Sequence, residues 1–159
     1  MSNVCLITFW YSLFIHVERR MNKLLFIALL LLGTNSLAAT WEKVGENNAS
    51  KYYFDSDSIT PVNFKGKNII KAWEKVVVKK PNGNTYKIND EVLSLTYFDC
   101  GSRLSGTKEI VTKRNGREIE DLSVSTNYPS LNDVVPESAT EATFNSVCTT
   151  YQIKTGTRS

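Results

Sequence analysis

The sequence of 159 residues predicts an α+β fold. We expect an antiparallel β-sheet of about six strands, with a C-terminal α-helix packed on one face and tied to it by a disulfide. Three observations predict this fold. β-Branched and aromatic segments alternate with Gly, Asn and Pro turns from residue 41 onward, helical periodicity appears only near the C-terminus, and two cysteines follow the predicted leader.

The N-terminal residues predict export. Residues 21–38, MNKLLFIALLLLGTNSLA, carry a lysine, an apolar run and small residues up to Ala38, which is the layout of a secretory signal peptide. The apolar run is too short to cross a bilayer core of roughly 30 Å, so we expect no stable membrane insertion after cleavage. We interpret residues 1–20 as a misassigned upstream start or a leader extension. Residues 39–159 then form a single exported domain, periplasmic or at the cell surface.

Three strands are predicted in the first half of this domain. Trp41–Val44 alternates apolar and charged residues, and Lys51–Asp55 is rich in aromatic residues. Ile69–Lys80 is a long β-branched run. The segment Ser56–Pro61 is expected to be a polar turn, and Gly66 marks a second turn.

Three more strands are predicted in the second half. They are Glu91–Cys100, Lys108–Lys113 and Glu118–Thr126. The turn sequence PNGN precedes the first of them at residues 81–84, and RNGR at residues 114–117 supplies the Asn-Gly pair that tight hairpins prefer. Because short turns join neighbouring strands, the sheet is expected to be an antiparallel meander.

The C-terminal segment predicts a helix. Ser138 precedes Glu141 by three residues, which is the spacing of a capping box. Four residues then fall at positions i, i+3, i+4 and i+7 on one helical face, namely Phe144, Val147, Cys148 and Tyr151. Residues 153–159 are expected to be a short disordered tail.

Cys100 and Cys148 are the cysteines of the predicted mature chain. In an oxidising compartment a disulfide between them is the simplest arrangement, and it would tie the helix to the sheet. A free buried pair is an open alternative. Zinc needs about four ligands and a catalytic cysteine needs a base, but the single histidine, His16, lies in the leader. We therefore expect no metal site and no cofactor.

The charge of the predicted mature chain is nearly balanced. Three of the 19 basic residues and one of the 16 acidic residues lie in residues 1–38, which leaves 16 basic and 15 acidic residues. Nucleic-acid binding domains usually carry a concentrated excess of positive charge. We expect no nucleic-acid partner.

The sequence offers no convincing catalytic group. Carboxylates occur in three clusters, namely Asp55 with Asp57, Asp90 with Glu91, and Glu118 with Glu120 and Asp121. Glycoside hydrolysis needs two carboxylates that face each other across a substrate. Each cluster lies in or near a predicted turn, where acidic residues form turn hydrogen bonds, so the sequence does not predict an enzyme.

Lysines on the third predicted strand suggest a binding surface. Lys71, Lys75 and Lys79 share one side of a period-2 ladder with Trp73. An aromatic ring among lysines suits an acidic polysaccharide or an acidic protein segment. The alternative is a solvated sheet face, or an edge strand that lysines protect from aggregation.

The order of several short motifs resembles the surface-adhesin protein E-like family of exported bacterial domains. The motifs are Trp41, YYFDSDSI at residues 52–59, Trp73, Asp99-Cys100, VPES at residues 135–138 and Val147-Cys148. The resemblance covers nearly the whole domain. It implies an antiparallel sheet with a C-terminal helix held by a disulfide between the two cysteines, and an adhesin that binds host matrix proteins. No cysteine follows the apolar run of the leader, so we expect no lipid anchor.

Two functional hypotheses follow. The first is an exported, non-catalytic binding domain of adhesin type that contacts host matrix or envelope components. The second is a periplasmic structural or accessory protein of the cell envelope with a bacterial partner. An edge strand would also allow a homodimer.

Overall fold

The computed structural model describes residues 39–81, 83 and 85–156. The predicted signal peptide at residues 21–38 and the stretch 1–20 lie outside the described residues. The elements are β1 (Trp41–Glu46), β2 (Ser50–Asp55), a 3-10 turn (Ser56–Ser58), β3 (Thr60–Phe64), β4 (Lys67–Val78), β5 (Glu91–Asp99), β6 (Leu104–Arg114), β7 (Arg117–Ser123), β8 (Asn132–Asp133) and α1 (Ala139–Thr155). The prediction of an antiparallel sheet followed by a C-terminal helix is confirmed.

The strands form one antiparallel sheet that curls into a half-barrel. The main path runs β1-β2-β4-β5-β6-β7, while β3 pairs with β4 and the short β8 pairs with β6. β4 is the central strand, because β5 pairs along one side of it and β2 and β3 share the other side. The six predicted strands correspond to β1, β2, β4, β5, β6 and β7, and β3 and β8 are additional.

The expectation of a simple polar turn over Ser56–Pro61 is wrong in its second half. Only residues 56–58 form a turn, and β3 begins at Thr60 and includes Pro61. Proline is tolerated because β3 pairs with β4 alone among the described strands, so its outer edge needs no N–H donor.

Two hairpins of the sheet have tight two-residue turns. Lys65 and Gly66 join β3 to β4, and Asn115 and Gly116 join β6 to β7. All four residues have positive φ values, from 50° to 87°. Turns of this type match the twist of the flanking strands and favour Asn-Gly, so the prediction from RNGR is confirmed.

Helix α1 begins with the predicted cap. The Ser138 hydroxyl accepts a hydrogen bond from the Glu141 N–H at 3.1 Å, and the Glu141 carboxylate accepts one from the N–H of Glu137 at 2.8 Å. In a standard capping box the N-cap residue, here Ser138, would donate the bond to the Glu141 carboxylate. In this helix the preceding residue, Glu137, donates it. At the other end Gly156 adopts φ 67° as the C-cap. Residues 153–155 are helical, so the predicted disordered tail is wrong for these residues.

The core lies between α1 and one face of the sheet. The sheet contributes Phe54, Ile70, Ala72 and Phe98, and the helix contributes Phe144, Val147 and Cys148. The rings of Phe98 and Phe144 lie 6.1 Å apart. The Cys100–Cys148 disulfide is present beside this core and joins the end of β5 to α1, so the predicted pairing is confirmed.

A buried ion pair holds the β4–β5 connection against β6. The Asp90 side chain is 1% exposed and accepts hydrogen bonds from Arg114 Nε at 2.8 Å and from a second guanidinium nitrogen at 2.6 Å. It also accepts the N–H of Lys87 at 2.8 Å. The hydrogen bonds from Arg114 are the largest cause that lowers the pKa of Asp90, to about 2. Asp90 therefore has the turn role that the sequence analysis gave it.

Removing the disulfide should destabilise the domain. Replacing Cys100 and Cys148 together by serine opens a loop with a sequence separation of 48 residues. The chain-entropy model predicts a loss of about 4 kcal/mol in the free energy of unfolding. Urea unfolding of the two proteins measures this difference. A double variant with an unchanged midpoint would show that the bond does not restrict the unfolded chain.

The Asp90–Arg114 pair should make the folding stability of the domain depend on pH. Because the folded-state pKa of Asp90 is lowered to about 2, its contribution is present above the unfolded value of about 4 and is lost as the pH falls through about 2. Asp90→Asn should therefore melt at a lower temperature than the wild type at pH 7, and the difference should shrink toward pH 2. Thermal melts across this range measure it, with the exposed Asp121→Asn as the control.

Candidate binding site

The two faces of the sheet have different surroundings. On β4, Ile70 and Ala72 belong to the core beneath α1. Side chains alternate along a strand, so Lys71, Trp73 and Lys75 point to the opposite side, which we call the far face. The structure thus places three of the four predicted binding residues on one face, away from the helix.

Lys75 is held within the far face. Its ammonium group lies 4.2 Å from the ring centre of Trp41 and 5.4 Å from that of Tyr53, and its side chain is 15% exposed. The nearest carboxylate oxygen is that of Glu91, 4.0 Å away. These contacts hold the ammonium group between two aromatic rings. Lys75 therefore positions the rings of Trp41 and Tyr53, and its charge is not free to bind a ligand.

The other two lysines, Lys79 and Lys71, differ in their contacts. Lys79 follows the end of β4, where its ammonium group forms an ion pair with Glu46 and donates to the Asn47 carbonyl at 2.9 Å. Lys71 is half-buried opposite Tyr97. The alternative that these lysines protect an edge strand is wrong, because β4 is paired on both sides. Ligand binding by Lys71, Trp73, Lys75 and Lys79 stays a prediction.

The far face contains a pocket of about 300 Å³. Its floor is apolar and its rim carries both signs of charge. The lining residues are Ala39, Trp41, Asp55, Trp73, Leu93, Val111, Lys113 and Glu118. They come from β1, β2, β4, β5, β6 and β7, except for Ala39, which lies two residues before β1. Six strands laid flat span about 24 Å, so the curl of the sheet is what brings their side chains to one pocket.

Strand register places these residues together. Val111 is paired with Leu93, Leu93 with Lys75, and Trp73 with Leu95, so their side chains lie on the same face. Sequence reasoning singled out Trp73 but did not connect it to Trp41, Leu93 or Val111. The alternation of Leu93 and Leu95 was visible in the sequence, but only the pairing register shows that they share a face with Trp73.

An aromatic cluster closes the neighbouring part of the far face. The ring of Phe64 lies 6.4 Å from that of Tyr97 and 5.0 Å from that of Tyr128. The Tyr128 hydroxyl donates to the Asn63 carbonyl at 3.0 Å, which fixes the β7–β8 connection over the sheet. The same connection passes so close to β6 that a Cβ atom on Gly106 would lie 2.1 Å from the Ser130 carbonyl oxygen.

A second, polar pocket of about 210 Å³ lies on the helix side of the sheet. Glu74 of β4 faces it, and Thr96 donates a short hydrogen bond to one of its carboxylate oxygens. Burial raises the pKa of Glu74 to about 6. Glu74 was not predicted as a site residue, because it lies in the middle of a strand and outside the three acidic clusters.

Within residues 39–81, 83 and 85–156, acidic residues, cysteines and histidines form no cluster of three that could hold a metal ion. In the same part of the chain, no helix has the length and hydropathy to cross a membrane.

The sheet, the disulfide and the closing helix are those that the resemblance implied. A family model described as surface-adhesin protein E matches residues 41–149. This chain belongs to the surface-adhesin protein E family. Neither the curated proteins nor the solved structures contain a match to the chain. The resemblance inferred from the motifs is confirmed, and membership of this family supports an exported or surface protein with an adhesin-like role.

The contact between Lys75 and the aromatic rings should contribute measurable stability. Lys75→Ala removes a largely buried cation from Trp41 and Tyr53, and a loss of about 1 kcal/mol in the free energy of unfolding is expected. Chemical unfolding followed by tryptophan fluorescence measures it. Lys80→Ala, at an exposed position beyond β4, is the matched control and should unfold like the wild type. Equal losses in the two variants would contradict the role given to Lys75.

Proposed function

We propose that this protein is a non-catalytic binding domain of the cell exterior that contacts a protein ligand through the far-face pocket. The observation that carries the proposal is the pocket of about 300 Å³ with Trp41 and Trp73 in its wall, in a chain of an adhesin family. Tryptophans in recessed apolar surfaces are frequent hot spots of protein recognition. An apolar or aromatic side chain of the ligand would fill the pocket.

The charges around the pocket favour a protein over an acidic polysaccharide. Asp55, Lys113 and Glu118 line it beside the apolar floor, so both signs of charge are represented. Lys75 and Lys79 already have aromatic or acidic partners. Binding of an acidic polysaccharide depends on several free cations, whereas a mixed polar rim around an apolar centre is typical of protein interfaces.

The ligand is proposed to be a host matrix protein, in keeping with the adhesin role of the family. The alternative, an envelope protein of the same bacterium, uses the same surface and differs in where the domain is displayed. Protease treatment of intact cells separates the two, because a surface-displayed domain is digested and a periplasmic one is protected. If two copies pair through this face, the protein will be a dimer in solution, and substitutions in the far-face pocket will dissociate it.

Trp73→Ala should weaken ligand binding at least tenfold, since loss of a hot-spot side chain costs about 1.4 kcal/mol or more. Immobilised matrix proteins, heparin and envelope extracts are the probes, and surface plasmon resonance at two salt concentrations is the measurement. Ile153→Ala, which alters an exposed apolar residue on α1, is the matched control.

Because Trp73→Ala also removes an apolar side chain that packs on the sheet, Lys113→Gln provides a second variant. It removes one rim charge of the pocket without placing a third carboxylate between Glu91 and Glu118. It should alter the association rate and leave the melting temperature within a few degrees of the wild type. Binding that neither variant affects, or binding to heparin alone that high salt abolishes, would contradict a protein ligand in this pocket.

A further inference from the structure

Glu74 is an acidic residue in the middle of the central strand. It lies on the helix side of the sheet, with Phe54 and Ser94 as its Cα partners on β2 and β5. Phe54 is buried in the core, and Thr96, which donates to the Glu74 carboxylate, is 3% exposed. Desolvating a carboxylate at such a position is unfavourable, and a single threonine hydroxyl compensates little of it.

No cation of the described residues neutralises Glu74. The flanking Lys75 lies over the Trp41 ring on the far face. At the start of α1, the Arg103 guanidinium is engaged in an ion pair with Glu141. Among the described residues, Glu74 takes part in no ion pair at all. It therefore presents an uncompensated negative charge to its surroundings.

Those surroundings form a cavity with a hydroxyl lining. The pocket of about 210 Å³ lies between the sheet and the first turns of α1. The residues around it that can present a hydroxyl from the helix side are Tyr52, Ser94, Thr107, Thr140 and Thr143. Tyr53 and Lys75 also border it, but the Tyr53 ring and the Lys75 ammonium group lie together on the far face. The Thr143 hydroxyl donates to the Ala139 carbonyl at 3.1 Å, and its lone pairs stay available as acceptors. The cavity thus combines one carboxylate with several neutral acceptors.

We propose that this cavity binds a primary ammonium group, carried by a small amine or by a lysine side chain of a partner. An ammonium group has three N–H donors and no acceptor, so it can donate to Glu74 and to two hydroxyl oxygens. Thr96 already occupies one carboxylate oxygen, which leaves a single oxygen as the main acceptor. This favours a compact ammonium over a planar guanidinium, which pairs best with two free oxygens.

The site should lose affinity in mild acid. Burial raises the pKa of Glu74 to about 6, and the binding form is the ionised carboxylate. At pH 5 only about one tenth of such a carboxyl is ionised, so binding should be about tenfold weaker than at pH 7.5. The groups that face Glu74 from β2 and β5 are the phenol of Tyr52 and the hydroxyls of Ser94 and Thr96, and those from α1 are Thr140 and Thr143. Serine and threonine hydroxyls do not titrate in this range, and the ammonium group of Lys75, the other charged residue that borders the cavity, lies over Trp41 on the far face.

The test is a titration of isotope-labelled protein, followed by the backbone amide NMR signals of Ser94, Thr107 and Thr140. Two probes distinguish the source of the ammonium group, namely 1,4-diaminobutane for a free amine and a doubly capped lysine for a side chain. Saturable shifts at pH 7.5 with either probe, and about tenfold weaker binding at pH 5, are expected. The probe with the higher affinity identifies the source. Capped norleucine, which lacks the ammonium group, should cause no saturable shift.

Glu74→Gln keeps the size of the side chain and an acceptor for Thr96, and should abolish saturation by both probes. Glu91→Gln, on the neighbouring strand and outside the cavity, is the matched control and should bind like the wild type. Failure of both amines, equal shifts with capped norleucine, or retained binding by Glu74→Gln would overturn the proposal. The far-face pocket lies on the other side of the sheet, so this result is independent of the proposed adhesin ligand.

Discussion

The disulfide between Cys100 and Cys148 is the constraint on which the rest of the fold depends. Helix α1 buries only Thr143, Phe144, Val147 and Cys148, and its threonines lower its intrinsic helix propensity. A helix with so narrow an apolar surface gains modest free energy from docking. The covalent bond keeps it against Phe98 and the central strand, and so keeps one face of the half-barrel out of water.

Because α1 packs on one face of the sheet, the two faces of the sheet have different roles. Along β4, Ile70 and Ala72 enter the core, while Trp73 lines the far-face pocket and Lys75 contacts the ring of Trp41, which also lines it. The same strand therefore stabilises the domain with alternate side chains and leaves the others for recognition. Glu74 is the exception on the helix side, because it places a carboxylate beside the polar pocket, where an apolar residue would pack better.

Much of this arrangement was predictable from local patterns. The Asn115-Gly116 turn, the Ser138 cap and the helical spacing of Phe144 with Val147 depend on neighbouring residues, so the sequence alone indicates them. β3 was missed because Pro61 argues against a strand unless its edge position is known. The pocket was missed because residues from six strands form it, and their meeting depends on long-range register and curl. For the same reason the lysine ladder was placed on the correct strand, but the ring of Trp41 over Lys75 was not foreseen.

The position of the disulfide has a consequence for the domain when a protease cuts its backbone. The bond links residues 100 and 148, and β6, β7 and β8 lie between them. Residues 124–127, which follow β7, are exposed and belong to no strand, so a protease can reach this connection. A single backbone cut there would leave two polypeptides that remain covalently joined and held in the same sheet. The nicked molecule would separate into fragments only in the presence of a reductant.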